Sequence, residues 1–217
     1  MSAKLISYSK PHDPESKQSI QDLVAYCARV SNPANQNNTD TNEKLISYLV
    51  KNNHWSPLEM VSICIKIETT RDIARQILRH RSFSFQEFSQ RYAVADLGFQ
   101  CKEARIQDKK NRQNSIDTDD VNLMNEWELQ QHQVTESAMK AYKWALDNNI
   151  AKEQARSVLP EGMTMTRMYM NGTLRSWVHY INLRAGNGTQ KEHRQIALAC
   201  AEAIKEIFPM ITDFIQS

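Results

Sequence analysis

The chain has 217 residues, 41% of them apolar and 24% charged, with a formal net charge of +2. That length suits one domain with a sizeable core, and so weak a charge gives no case for a nucleic-acid or membrane-surface binder. Cys27, Cys64, Cys101 and Cys200 stand far apart with no CxxC pair, which argues against a zinc site or a disulfide framework and makes a reduced, cytoplasmic setting the simplest reading.

In chain order, 3–9 fits a strand, and no apolar run there suggests a signal peptide or a membrane span. Residues 18–30 predict a helix with Ile20, Leu23, Val24 and Cys27 on one face. A polar, turn-rich stretch at 31–40 follows. Asp40 and Glu43 then have the spacing of a capping box for a helix striped by Leu45, Ile46 and Leu49. Residues 61–68 alternate, with Val61, Ile63, Ile65 and Ile67 on one side, as a strand with one buried face does. Thr69 and Asp72 predict a capped helix to about Arg81, with Ile73, Ile77 and Leu78 inward.

Residues 96–117 read as a long loop. A long helix is expected over 119–147, its apolar line running through Met124, Trp127, Val134, Ala138, Ala141 and Ala145. A shorter helix ends before Pro160, 163–170 is strand-like, and 173–184 is an amphipathic helix. Thr189 with Glu192 reads as another capping box, opening a helix to about Phe208. One clear one-sided strand among helices, without βαβ alternation, implies an α+β fold in a single domain spanning 1–217.

Several common chemistries are missing. Gly186 and Gly188 form a GxG, but Lys191 stands where a dinucleotide fingerprint needs its third glycine. HExxH and GxSxG are absent and the histidines are scattered, so no metal is expected. The informative segment is 76–92, QILRHRSFSFQEFSQRY, where Arg79, His80, Arg81 and Arg91 are interleaved with Ser82, Ser84 and Ser89. Guanidinium forks and hydroxyls are what phosphate recognition requires. Glu87, the lone acid there, is suited to accept from a sugar hydroxyl or to orient an arginine. Charge alone leaves a solvated basic helix end, or an RNA-binding patch, equally open.

The order Arg79-His80-Arg81, then Ser89, then Arg91-Tyr92 resembles the RHRx7S signature of flavin-dependent thymidylate synthases. His54-Trp55-Ser56-Pro57-Leu58-Glu59 is similar to that family's HWTPFEH-like segment, and Ala155-Arg156-Ser157-Val158-Leu159-Pro160 to its ARxxLP segment. Asn182-Leu183-Arg184 resembles its C-terminal NLR segment. Gln86 and His179 stand where the family often has Asn.

The resemblance implies an α+β fold with an antiparallel sheet flanked by helices, assembled as a homotetramer with active sites at subunit interfaces. It implies methylation of dUMP to dTMP, with 5,10-methylenetetrahydrofolate as carbon donor, FAD as hydride carrier and NADPH as reductant. By the same resemblance Ser56, Arg79, His80, Arg81, Ser82, Glu87, Thr173, Arg175 and His179 would contact FAD. Gln76, Arg79, Glu87, Ser89, Gln90, Arg91, Arg156 and Arg184 would line the dUMP pocket, with Arg91 and Arg156 on the phosphate and Arg184 favouring ionisation at the uracil ring. Without the resemblance, Arg184 reads as a wet arginine at a helix C-terminus, His54 as a turn-capping histidine, and the four cysteines as inert. The basic stretch around Lys109 and Arg112 reads as a solvated loop, or as one that closes over substrate.

Overall fold

The structure is a computed structural model that describes residues 1–13, 15–16, 18–186 and 188–215. Its regular elements are β1 (Ser2–Tyr8), α1 (Ile20–Ala28), α2 (Asn42–Lys51), β2 (Ser62–Thr70), α3 (Arg71–Ile77), β3 (Ser84–Glu87), β4 (Arg105–Gln107) and β5 (Ser115–Asp117). After these come α4 (Val121–Asp147), α5 (Lys152–Ala155), β6 (Met165–Thr173), α6 (Leu174–Ala185) and α7 (Lys191–Lys205). One sheet has the strand order β1-β2-β6-β3, and β4 pairs with β5 as an antiparallel hairpin. This is the α+β architecture that the alternating strand among helices implies. Among the described residues, no helix is long and apolar enough to cross a membrane.

The chain divides into two compact units. A sheet unit comprises 2–67, 80–86 and 169–217, and a long-helix unit comprises Met1, 68–79 and 87–168. In the sheet unit, α1 begins with a true capping box, in which the Asp22 amide donates to Ser19 Oγ at 3.2 Å and the Ser19 amide donates to Asp22 at 2.8 Å. Ile63, Ile65 and Ile67 of β2 are fully buried, as their alternation predicts, and the core continues through Val24, Ile46, Leu58, Trp177, Ile181, Ile196 and Phe208.

The expected box at Asp40 and Glu43 does not form. The N-cap of α2 is Thr41, without a side-chain bond, because the next residue, Asn42, turns inward to accept from the buried Arg29 and to donate to Asp22 at 2.6 Å. The expected box at Thr189 and Glu192 is replaced too. Gln190 caps α7, and its side chain donates to the buried Glu192 at 2.9 Å.

In the long-helix unit, α3 starts one residue later than expected. Thr70 is its N-cap, and the Thr70 hydroxyl bonds to Asp72 and accepts from Lys102 Nζ at 2.8 Å. The helix stops at Ile77 rather than near Arg81, a last turn runs on to Arg79, and Leu78 is half-buried. The span read as a loop carries order. Residues 98 and 100 bond to Met165 and Met163, and the β4–β5 hairpin follows.

Helix α4 begins at Asp120, which caps the Leu123 amide at 3.0 Å. Its inward face is Gln131, Thr135, Tyr142 and Ala145, whereas Met124, Trp127 and Val134 of the expected line are exposed. Gln131 wins the inward place because it exchanges two hydrogen bonds with the Lys102 backbone, at 2.7 and 3.0 Å. Tyr142 is drawn in the same way, accepting from the Ala95 amide at 3.0 Å within a small core of Ala95, Ala145 and Ala155.

Candidate active site

In the sheet unit, the Trp55–Glu59 turn and the His80–Phe83 segment both pack on α6. Thr173 caps the helix, its hydroxyl accepting from the Ser176 amide at 3.2 Å. Positions four apart on a helix lie on one face, and here that face carries Arg175 and His179. Arg175 donates to Glu59 Oε1, and the His179 ring stacks at a tilt on Trp55 with centroids 4.4 Å apart. The turn at Ser56–Met60 is thereby pinned to α6, and the exposed Ser56 begins it. Burial, with the Arg175 cation adding to it, pushes His179 below the ordinary histidine value, so the ring is neutral at pH 7.

The signature segment is fixed by Phe83, which is buried edge-on against Trp177 at 4.8 Å and packs on Gly172. On either side of that anchor, Arg81 and Ser82 are exposed, and the Ser82 carbonyl accepts from Ser176 Oγ at 3.3 Å. His80 Nε2 accepts a 3.0 Å bond from Arg184 Nε. Arg184 lies in the last turn of α6, as its position predicts, and is only half-exposed. The His80 side chain is its partner.

The long-helix unit gathers the other candidates. Glu87 Oε1 accepts from Thr166 Oγ1 at 2.9 Å and lies 3.4 Å from the buried Arg71, so it works against an arginine as its sequence context allowed. Arg71 also faces Glu161, which Arg75 binds at 2.8 Å. Burial alone would raise the Glu161 carboxyl, but the bond from Arg75 and the charges of Arg71 and Arg75 hold it below its usual value.

Arg91 Nε lies 3.5 Å from the Glu153 carboxylate, and Arg156 Nε donates to the Glu153 carbonyl at 3.4 Å. One residue thus brings both proposed phosphate arginines together. Lys152 ties the same two stretches, donating to the Tyr92 carbonyl at 3.0 Å. Ser89 closes the turn, its carbonyl accepting from the amides of Tyr92 and Ala93. Gln90 is buried with Nε2 lacking a partner among the described residues. Gln76 is half-buried on α3, and Arg79 is exposed beyond its end.

Sequence reasoning missed Arg71, Glu153, Lys152 and Glu59, each of which matters through a partner distant in sequence. The cysteines are free, and burial pushes Cys64, Cys101 and above all the fully buried Cys200 up, away from the thiolate a nucleophile needs. The arrangement offers cationic forks, hydroxyls and a helix N-terminus, a donor set for phosphate-bearing ligands.

The sequence model of the thymidylate synthase complementing protein family matches residues 5–210. A probable flavin-dependent thymidylate synthase of Paramecium bursaria Chlorella virus 1 is 48% identical over 211 residues, covering 97% of each chain. The flavin-dependent thymidylate synthase of Synechocystis sp. is 48% identical over 214 residues, again covering 97% of each. Among solved structures, the UMP/dUMP methylase PolB from Streptomyces cacaoi, bound with 5-Br dUMP, superposes with a TM-score of 0.81 at 25% identity, covering 98% of this chain and 93% of that one.

Proposed function

This chain belongs to the thymidylate synthase complementing protein family, the flavin-dependent thymidylate synthases, and on that premise we propose how its residues methylate dUMP to dTMP. The flavin is FAD, 5,10-methylenetetrahydrofolate donates the carbon, and NADPH is the reductant. Bound FAD supplies the hydride, while the protein supplies position and charge. The chain acts as one catalytic domain in the cytoplasm, in a homotetramer whose active sites lie at subunit interfaces.

Ser56, Arg79, His80, Arg81, Ser82, Glu87, Thr173, Arg175 and His179 hold FAD. The donors fit a dinucleotide without a glycine loop: Arg81 and Ser82 are exposed beside the capped start of α6, and Arg175 lies in its first turn. Gln76, Arg79, Glu87, Ser89, Gln90, Arg91, Arg156 and Arg184 bind dUMP. Arg91 and Arg156, already neighbours through Glu153, grip the phosphate. The unpartnered Gln90 amide suits a pyrimidine carbonyl once the side chain turns. Uracil C5 acts as the nucleophile toward the one-carbon unit, which requires negative charge on the ring nitrogen and oxygens beforehand, and the Arg184 guanidinium stabilises that charge.

The observation that carries this reading is the Arg184–His80 bond, which joins the NLR helix to the RHR segment across 104 positions. A second substrate, UMP, is worth assaying because the Streptomyces relative is a UMP/dUMP methylase. The purified protein is expected to be yellow or to take up FAD, and to form dTMP only when both folate and NADPH are present. Arg156→Ala is expected to raise KM for dUMP by roughly 10-fold or more, the worth of a charge-assisted bond. A colourless protein that does not take up FAD would refute the reading, as would one that leaves dUMP unchanged. Faster turnover of UMP would move the substrate to the ribonucleotide.

A further inference from the structure

Next to Arg184 and His80 the sheet unit buries a polar pair that no step of the reaction requires. Tyr180 is 2% exposed and His193 0%, and the Tyr180 hydroxyl lies 3.2 Å from His193 Nε2. Two polar side chains in an apolar core cost stability that phenylalanine and leucine would not. Their geometry gives them a use. The His80 ring stands edge-on to Tyr180, with centroids 4.9 Å apart and planes at 89°, and lies 6.3 Å from His193 at 81°. Tyr180 is held on its other sides by Phe83 and Trp177, each 5.9 Å away, and Trp177 is itself pinned by a 3.0 Å bond from Nε1 to the Ile63 carbonyl.

His80 accepts from Arg184 through Nε2, so its ring must be neutral there and turned to point that nitrogen at the arginine. A rotated ring would offer carbon instead. The bond uses Arg184 Nε, and a guanidinium held there still has its two terminal nitrogens to pair with an anion or a polarised carbonyl.

We propose that Tyr180 and His193 are positioning residues: their buried hydrogen bond fixes the face of Tyr180 on which His80 rests, and through His80 it aims the Arg184 guanidinium at the reacting pyrimidine. The proposal rests on the role of Arg184 given above. A hydrogen-bonded pair has one good rotational setting where an apolar pair has several, which is the advantage that offsets its burial cost. Burial lifts the Tyr180 hydroxyl well above the ordinary tyrosine value, so it stays un-ionised throughout the working range.

The test uses the FAD-loaded enzyme and the substitutions Tyr180→Phe and His193→Gln, the first keeping the ring and the second keeping a hydrogen-bonding side chain. Each is expected to lower kcat about 10-fold or more, the scale of a misaimed group. KM for dUMP is expected to stay within about 2-fold, as when an interaction made only in the transition state is lost. FAD stoichiometry should be unchanged. In a His80→Asn background, Tyr180→Phe is expected to add no further loss, because its effect runs through His80. Additive losses there would overturn the proposal, and so would unchanged kcat in both single variants. If Arg184→Lys and His80→Asn themselves left turnover intact, the role of Arg184 would fall instead, which separates the two failures.

Discussion

At the scale of single residues, the junction of Arg71, Arg75, Glu87 and Glu161 shows what the sequence held and what it hid. Glu87 was visible as the lone acid of its segment, but its partner Arg71 lies at the start of a helix where an arginine looks solvated. A buried arginine needs compensating charge, and Glu87 with Glu161 provides it. The carboxyl of Glu161 is held below its ordinary value of 4.5 in the fold, so the unfolded chain takes up that proton first. Stability from this group is therefore complete above that value and is lost as pH falls through it. Glu161→Gln is expected to lower Tm at pH 7, with the difference from the parent shrinking below about pH 4.5. An equal Tm difference at pH 7 and pH 4 would show that the ionised carboxyl is not what Glu161 contributes. The motif arginines were legible because local order marks them. Glu153, which joins Arg91 to Arg156, was not, because a surface glutamate between two motifs carries no local signal.

Among elements, type was legible and ends were not. The one-sided strand β2 and the amphipathic α6 follow their hydrophobic periods, because burial of a face is a property of the whole segment. None of the expected capping boxes formed; neighbouring side chains make the bonds instead, and the buried Thr69 hydroxyl has no partner among the described residues. Neighbouring Asn42 joined Arg29 and Asp22, Thr70 took Asp72 and Lys102, and Glu192 took Gln190. The β4–β5 hairpin escaped notice because its strands are exposed and polar, its turn organised by Asp108 accepting from Lys110, Asn111 and Asn114. One element detail bears directly on the site. A Cβ at Gly172 in β6 would run into the Phe83 ring, the anchor of the exposed Arg81 and Ser82. Gly172→Ala is expected to cost roughly 1–3 kcal/mol, as overpacking does, and to weaken FAD binding by displacing that anchor. Unfolding in urea and a fluorescence titration with FAD measure the two effects. Lost stability with unchanged FAD affinity would detach the anchor from the cofactor.

For the whole molecule, the long helix α4 poses the question that the isolated chain leaves. Of its expected apolar line Ala145 is buried, but Trp127 is 43% exposed and Val134 51%; Trp144, outside that line, is 61% exposed. Trp127, Val134 and Ala141 recur at the seven-residue spacing of a helix–helix seam, and Leu123, 41% exposed, continues it toward the N-terminus. Exposed apolar stripes on this scale mark association surfaces, and a second protomer in the proposed tetramer is the partner that symmetry makes available. The line was misread because periodicity reports which residues are apolar and not what covers them. Val134→Glu places a charge at the middle of the seam and is expected to reduce the sedimenting mass below that of a tetramer, with the far-ultraviolet circular dichroism of the parent retained. Turnover should fall with the assembly, because the proposed active sites draw on neighbouring subunits. A Val134→Glu protein that still sediments as a tetramer would remove α4 from the interface, and a monomeric, fully active parent would remove the tetramer itself.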